Sequence, residues 1–167
     1  MRVQTPLRWA TIITVMIMAF LLSACAQKPL TPPTQGLRLW QGRLAIKILS
    51  EPVQSSSASF ELRGDAHAGS LTLLTPLGST AAALRWTPEL AELHSQGQVQ
   101  QFDNLQALLV KTVGTELPLS ALFAWLAGEA ASAPGWQADL QAWPEGRLTA
   151  RRSSPEPVVE LRMALER

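Results

Sequence analysis

The chain has no tyrosine, two histidines and a single cysteine in 167 residues. One cysteine excludes a disulfide within the chain, so packing alone must hold the core, even in an oxidising compartment. An excess of charge is also missing: 14 Lys and Arg stand against 13 Asp and Glu. A near-neutral chain without a basic run offers no electrostatic footprint for nucleic acid. Gly-x-Ser-x-Gly, His-Glu-x-x-His and phosphate-loop patterns do not occur, and Gly78-Ser79-Thr80 lacks the lysine that would make it a phosphate loop. His67 and His94 fall among turn residues or on an exposed strand face. Glu51, Glu61, Asp65, Glu89, Glu92, Glu116 and Glu160 are scattered over turns and polar strand faces. Catalysis needs polar groups that converge, and these do not. The reading is a protein that is not an enzyme, takes no cofactor and holds no metal. No internal repeat is present.

A membrane-spanning run is lacking too. The uncharged apolar stretch from Trp9 to Leu22, preceded by Arg2 and Arg8, is shorter than the roughly 20 residues a bilayer requires. With Leu22-Ser23-Ala24 before Cys25, residues 1–24 read as a secretory signal. Leu22-Ser23-Ala24-Cys25 resembles a bacterial lipobox, which implies lipidation at Cys25 and firm anchoring by more than one acyl chain. Ala26, not Asp, follows the cysteine; by the same resemblance the destination is the outer membrane. Removing 24 residues leaves 143, enough for one domain, with 12 basic groups against 13 acidic ones. Residues 25–36, polar and proline-rich, read as a lipidated start and a flexible tether, and 37–167 as the domain.

What is present centres on Leu71-Thr72-Leu73-Leu74-Thr75-Pro76-Leu77-Gly78-Ser79-Thr80. This is a strand entering a tight turn at Pro76, Leu77 and Gly78. Turns favour Gly, Pro, Asn, Asp and Ser, so a large aliphatic at the tip is anomalous. Either Leu77 folds back on its own sheet or it presents an apolar finger to lipid.

Period-two alternation predicts strands at Leu44–Ile48, Ser57–Arg63, Leu71–Leu74, Thr80–Trp86, Leu90–His94 and Val99–Phe102, with Glu51 to Ser57 a polar loop. Helical spacing then places Leu105, Leu108 and Leu109 on one face, capped by Asp103, and Leu119, Leu122, Phe123 and Leu126 on another after Pro118. Strands resume at Trp136–Trp143, Arg147–Arg152 and Val159–Leu165. Six strands before two helices and three after suggest a curved antiparallel sheet whose mouth the helices cover. The apolar helix faces either fill a core or roof a cavity wide enough for acyl chains; spacing does not separate these.

In order, the chain carries Cys25 in its lipobox, Trp40-Gln41-Gly42-Arg43-Leu44-Ala45 and Leu74-Thr75-Pro76-Leu77-Gly78-Ser79-Thr80. After them come Leu117-Pro118-Leu119 with Leu122, Trp125-Leu126-Ala127-Gly128, and Gly135-Trp136. In that order it resembles the LolB family of outer-membrane lipoprotein receptors, over nearly all of the domain. The resemblance implies an open antiparallel β-barrel with a helical lid around a hydrophobic cavity. It implies a receptor, lipid-anchored on the periplasmic face, that takes lipoproteins from a LolA-like periplasmic carrier and inserts their acyl chains into the outer membrane. It also implies insertion assisted by Leu77 between Pro76 and Gly78. The expected cavity residues are Leu44, Ile46, Phe60, Leu71, Leu73, Leu105, Leu109, Leu119, Leu122, Phe123 and Leu126, in a monomer. Gly128 to Trp136 is shorter than is usual in the family, which implies a more open side of the mouth. Two other classes stay in view: a non-catalytic lipid-binding or scaffold lipoprotein with a packed core, and a lipid-acting hydrolase, for which no nucleophile and base are found.

Overall fold

A computed structural model describes residues 38–166; the expected signal, Cys25 and tether lie outside them. Nine strands form one antiparallel sheet: β1 (Leu39–Leu49), β2 (Gln54–Gly64), β3 (Gly69–Leu74), β4 (Thr80–Trp86), β5 (Ala91–Ser95), β6 (Gln98–Phe102), β7 (Trp136–Asp139), β8 (Arg147–Arg152) and β9 (Val158–Leu165). Their order is β6-β5-β4-β3-β2-β1-β9-β8-β7, so β6 and β7 are edges and the sheet stays open. Helices α1 (Leu105–Val113) and α2 (Leu119–Leu126) separate the first six strands from the last three, as expected.

Register assigns the faces. Trp40, Gly42, Leu44, Ile46 and Ile48 of β1 pair with even-numbered residues of β2 and odd-numbered residues of β9, and share one face with them. That face carries the core: Phe60, Leu62, Leu84, Trp86, Leu148, Val159, Leu161 and Met163 are buried. The helices pack over it. Leu105, Leu108 and Leu109 of α1 and Ala121, Trp125 and Leu126 of α2 are their buried residues. Each large apolar side chain so buried contributes about 1.5–3 kcal/mol.

Taking β1 as running upward, the β1–β2, β3–β4, β5–β6 and β8–β9 turns lie at the upper end and the other hairpin turns at the lower. Gly42 lets β1 bend against β9: its φ is +152°, and a Cβ there would lie 1.9 Å from the Ala164 carbonyl oxygen. At the lower end Asp65 closes the β2–β3 turn. Its carboxylate accepts from Ala68 N–H at 2.9 Å and His67 N–H at 2.7 Å, which holds its carboxyl below the ordinary value.

Four local expectations are corrected. Ser55, Ser56 and Ser57 are strand, because Lys47, Ile46 and Ala45 of β1 supply their ladder partners and override a polar composition. The strand from Trp136 ends at Asp139, whose carboxylate accepts from Gln141 N–H at 2.9 Å and turns the chain into a 3₁₀ turn at Trp143–Glu145. The cap of α1 is Asn104, not Asp103: its side chain accepts from Ala107 N–H at 2.9 Å. His94 is half-buried, not exposed, 3.4 Å from the buried Glu92.

Candidate functional site

The β3–β4 turn is built to hold its tip outward. Thr75 N–H donates to the Ser79 carbonyl at 2.8 Å and Gly78 N–H to the Thr75 carbonyl at 2.9 Å. The Thr75 and Ser79 hydroxyls meet at 3.0 Å. Gly78 takes φ +81°, and a register shift at Leu73/Leu74 accompanies the turn. On this frame Leu77 is 94% exposed, while Pro76 and Gly78 are also on the surface. The leucine does not fold back on the sheet.

Below it, on the face the helices cover, the apolar residues divide into two sets. Phe60, Leu105, Leu109 and Leu126 are buried in the core. Leu44, Ile46, Leu71 and Leu73 of the sheet and Leu119, Leu122 and Phe123 of α2 are only half-buried, though packed against that core. They lie in neighbouring rows: Phe60 pairs with Leu73, Leu62 with Leu71, and Leu44 and Ile46 stand on the adjoining strand. Where sheet and helix pack closely, inward residues lose their water entirely. Here seven remain partly wet, four on the sheet and three on α2.

Sequence reasoning used Trp40 and Trp125 only for the resemblance and gave no role to the tryptophans that set α2 in place. The Trp40 indole N–H donates to the Leu126 carbonyl at 3.1 Å and that of Trp143 to the same oxygen at 3.3 Å. Trp125 donates to the Ala131 carbonyl at 3.0 Å, within the short segment before Trp136. Gly128 has φ +80°, and a Cβ there would meet the Trp143 ring at 2.6 Å, so the Trp-Leu-Ala-Gly run is a close-packed corner. Phe123 sits against Trp40, ring centres 5.7 Å apart, and against Trp86 at 6.5 Å. Trp40 could have been found from its place in the even-numbered inward series of β1.

The opposite face carries the ion pairs. Arg151 pairs with Glu160 at 2.9 Å, Arg162 with the same carboxylate at 3.6 Å, and Arg147 with Glu145. Among the described residues no group of three or more His, Cys, Asp or Glu is placed to hold a metal, and no helix is long and apolar enough to cross a membrane. What the arrangement offers is half-buried apolar surface on the sheet and on α2.

The family described as outer membrane lipoprotein LolB matches residues 39–159. The outer-membrane lipoprotein LolB of Bordetella petrii is 31% identical over 87% of this chain and 86% of its own length. That of Shewanella woodyi is 32% identical over 91% of this chain and 72% of its own length. That of Shewanella baltica OS155 is 35% identical over 70% of this chain. The matches to this protein and to its counterpart in strain OS223 span 48% and 40% of those two relatives, about half their length or less. The match runs from the first strand into the last and takes in the turn at Leu77 and both helices, and the chain belongs to the outer-membrane lipoprotein LolB family.

Proposed function

We propose that this protein is a receptor, lipid-anchored through Cys25 on the periplasmic face of the outer membrane. It accepts lipoproteins from a LolA-like periplasmic carrier by binding their acyl chains, and inserts those chains into the membrane. The half-buried residues of the sheet and α2 are the acyl site, and the turn of Pro76, Leu77 and Gly78 is the insertion tip. The observation that carries this reading is a 94%-exposed leucine at the tip of a hydrogen-bonded turn, on the strands that line the half-buried apolar surface. Transfer then needs no bond to form or break. Acyl chains pass from one apolar site to the next when each holds them better than the last, and burial of Leu77 among lipid tails contributes about 1.5–3 kcal/mol. The protein acts as a monomer and without catalysis.

Leu77→Glu tests the proposal. The variant is expected to fold and to take lipoprotein from a loaded carrier as the unaltered protein does, yet to insert it into liposomes about tenfold more slowly or worse. Insertion at the unaltered rate would overturn the role of the tip. Failure of the unaltered protein to take any lipoprotein would overturn the receptor reading itself.

A further inference from the structure

Three polar side chains are buried among the described residues: Glu92, Thr115 and Arg152. Glu92 is satisfied, since Gln101 donates to it at 3.0 Å and His94 lies 3.4 Å away. Arg152 is not. It is 6% exposed, its Nη2 donates to the Pro157 carbonyl at 3.1 Å, and its buried Nε meets no acceptor. The ion pairs among the described residues belong to other cations, so among them this guanidinium has no ion-pair partner. A buried cation without one is costly, and a methionine would fill the same space without that cost.

Arg152 follows Leu148 and Ala150 on the inward face of β8. Register sets it in one cross-strand row with Trp136, Val159, Ile48 and Gln54, at the upper end of the sheet. The next row down holds Ala138, Ala150, Leu161 and the half-buried Ile46, and the row below that Leu44. Its stem lies beside Gly135: a Cβ there would be 3.6 Å from its Cγ, and Ser153 N–H donates to the Gly135 carbonyl at 3.1 Å.

We propose that Arg152 is the polar end of the acyl site, donating to a carbonyl or carboxylate oxygen at the head of a bound chain whose tail lies over Ile46 and Leu44. The inference rests on the acyl-binding reading above and adds to it a residue that recognises the head. That oxygen is the carbonyl of an ester or amide in a lipoprotein, or the carboxylate of a free fatty acid.

Three fluorescent probes with one tail separate these: pyrene-labelled hexadecanoic acid, its methyl ester, and hexadecylpyrene, which has no oxygen. Full-length Arg152→Met is expected to bind the acid, or the acid and the ester, about tenfold more weakly than the unaltered protein, and the hydrocarbon equally well. Loss on the acid alone assigns a carboxylate, and loss on both a carbonyl; Arg152→Lys should recover the acid. Equal affinity for all three probes in variant and unaltered protein overturns the proposal. So does an equal loss on all three, which means packing. As a reading that needs no variant, the carboxyl carbon of labelled palmitate on the unaltered protein should titrate at lower pH than in lipid vesicles; titration as in vesicles overturns the carboxylate form. If the unaltered protein binds none of the three probes, the acyl-binding reading itself fails.

Discussion

A leucine at the crest of a hairpin gains nothing from water, and nothing in the fold requires it there. Thr75, Gly78 and Ser79 shape the turn through backbone and hydroxyl groups, none of which belongs to Leu77. Gly42 is the opposite case: its side chain is absent because the neighbouring strand occupies the space. Gly42→Ala is expected to cost more than about 2 kcal/mol in urea unfolding, since it combines an unfavourable φ with a collision against the Ala164 carbonyl. The sequence marked Leu77 as anomalous by its residue type alone. It did not distinguish Phe60 from Leu73, which face each other across two strands, although one is buried and the other half-buried. Alternation reports which face a residue takes, and how much water reaches that face depends on what packs above it. Arg152 shows the same limit, since the inward parity of Leu148 and Ala150 extends to it while its charge argues for the outside.

At the level of elements, the number, order and type of strands and helices were legible, because alternation and helical spacing persist across most of each one. The misses occur where a partner decides. Ser55 to Ser57 are strand only because β1 runs beside them, and Asn104 caps α1 by a geometry that Asp103 next to it would have served equally in composition. Helix α2 illustrates how elements become a lid. Its last carbonyl, Leu126, receives two indole N–H groups, while Pro118 at its start makes no side-chain cap. The C-terminal end is therefore the fastened one. Trp40→Phe removes one of the two bonds and keeps the ring contact with Phe123. It should lower stability by about 1 kcal/mol and speed amide hydrogen exchange in the last turn of α2 more than in α1. Unchanged exchange there would mean that Trp143 holds the helix unaided.

For the molecule as a whole, the single cysteine left packing alone to hold the core, and alternation anticipated a curved sheet. Neither showed that the edges stay apart. The outer edge at β6, Gln98–Phe102, is uncharged and mostly exposed, with Val99 54% exposed. An edge of that kind is a template for pairing with another chain. Val99→Lys should therefore reduce self-association at high concentration, read by light scattering, with Tm within about 2 °C of the unaltered protein. Equal scattering would place the self-association elsewhere.

That gap between the first and last strands in the sheet order has a mechanical consequence. A barrel stitched all the way round has a girth dictated by its own seams. This one carries no stitch between β6 and β7, so no ladder of hydrogen bonds fixes its width. Under the acyl-binding proposal, a guest of larger bulk would spread the two margins without any rung of the ladder being torn.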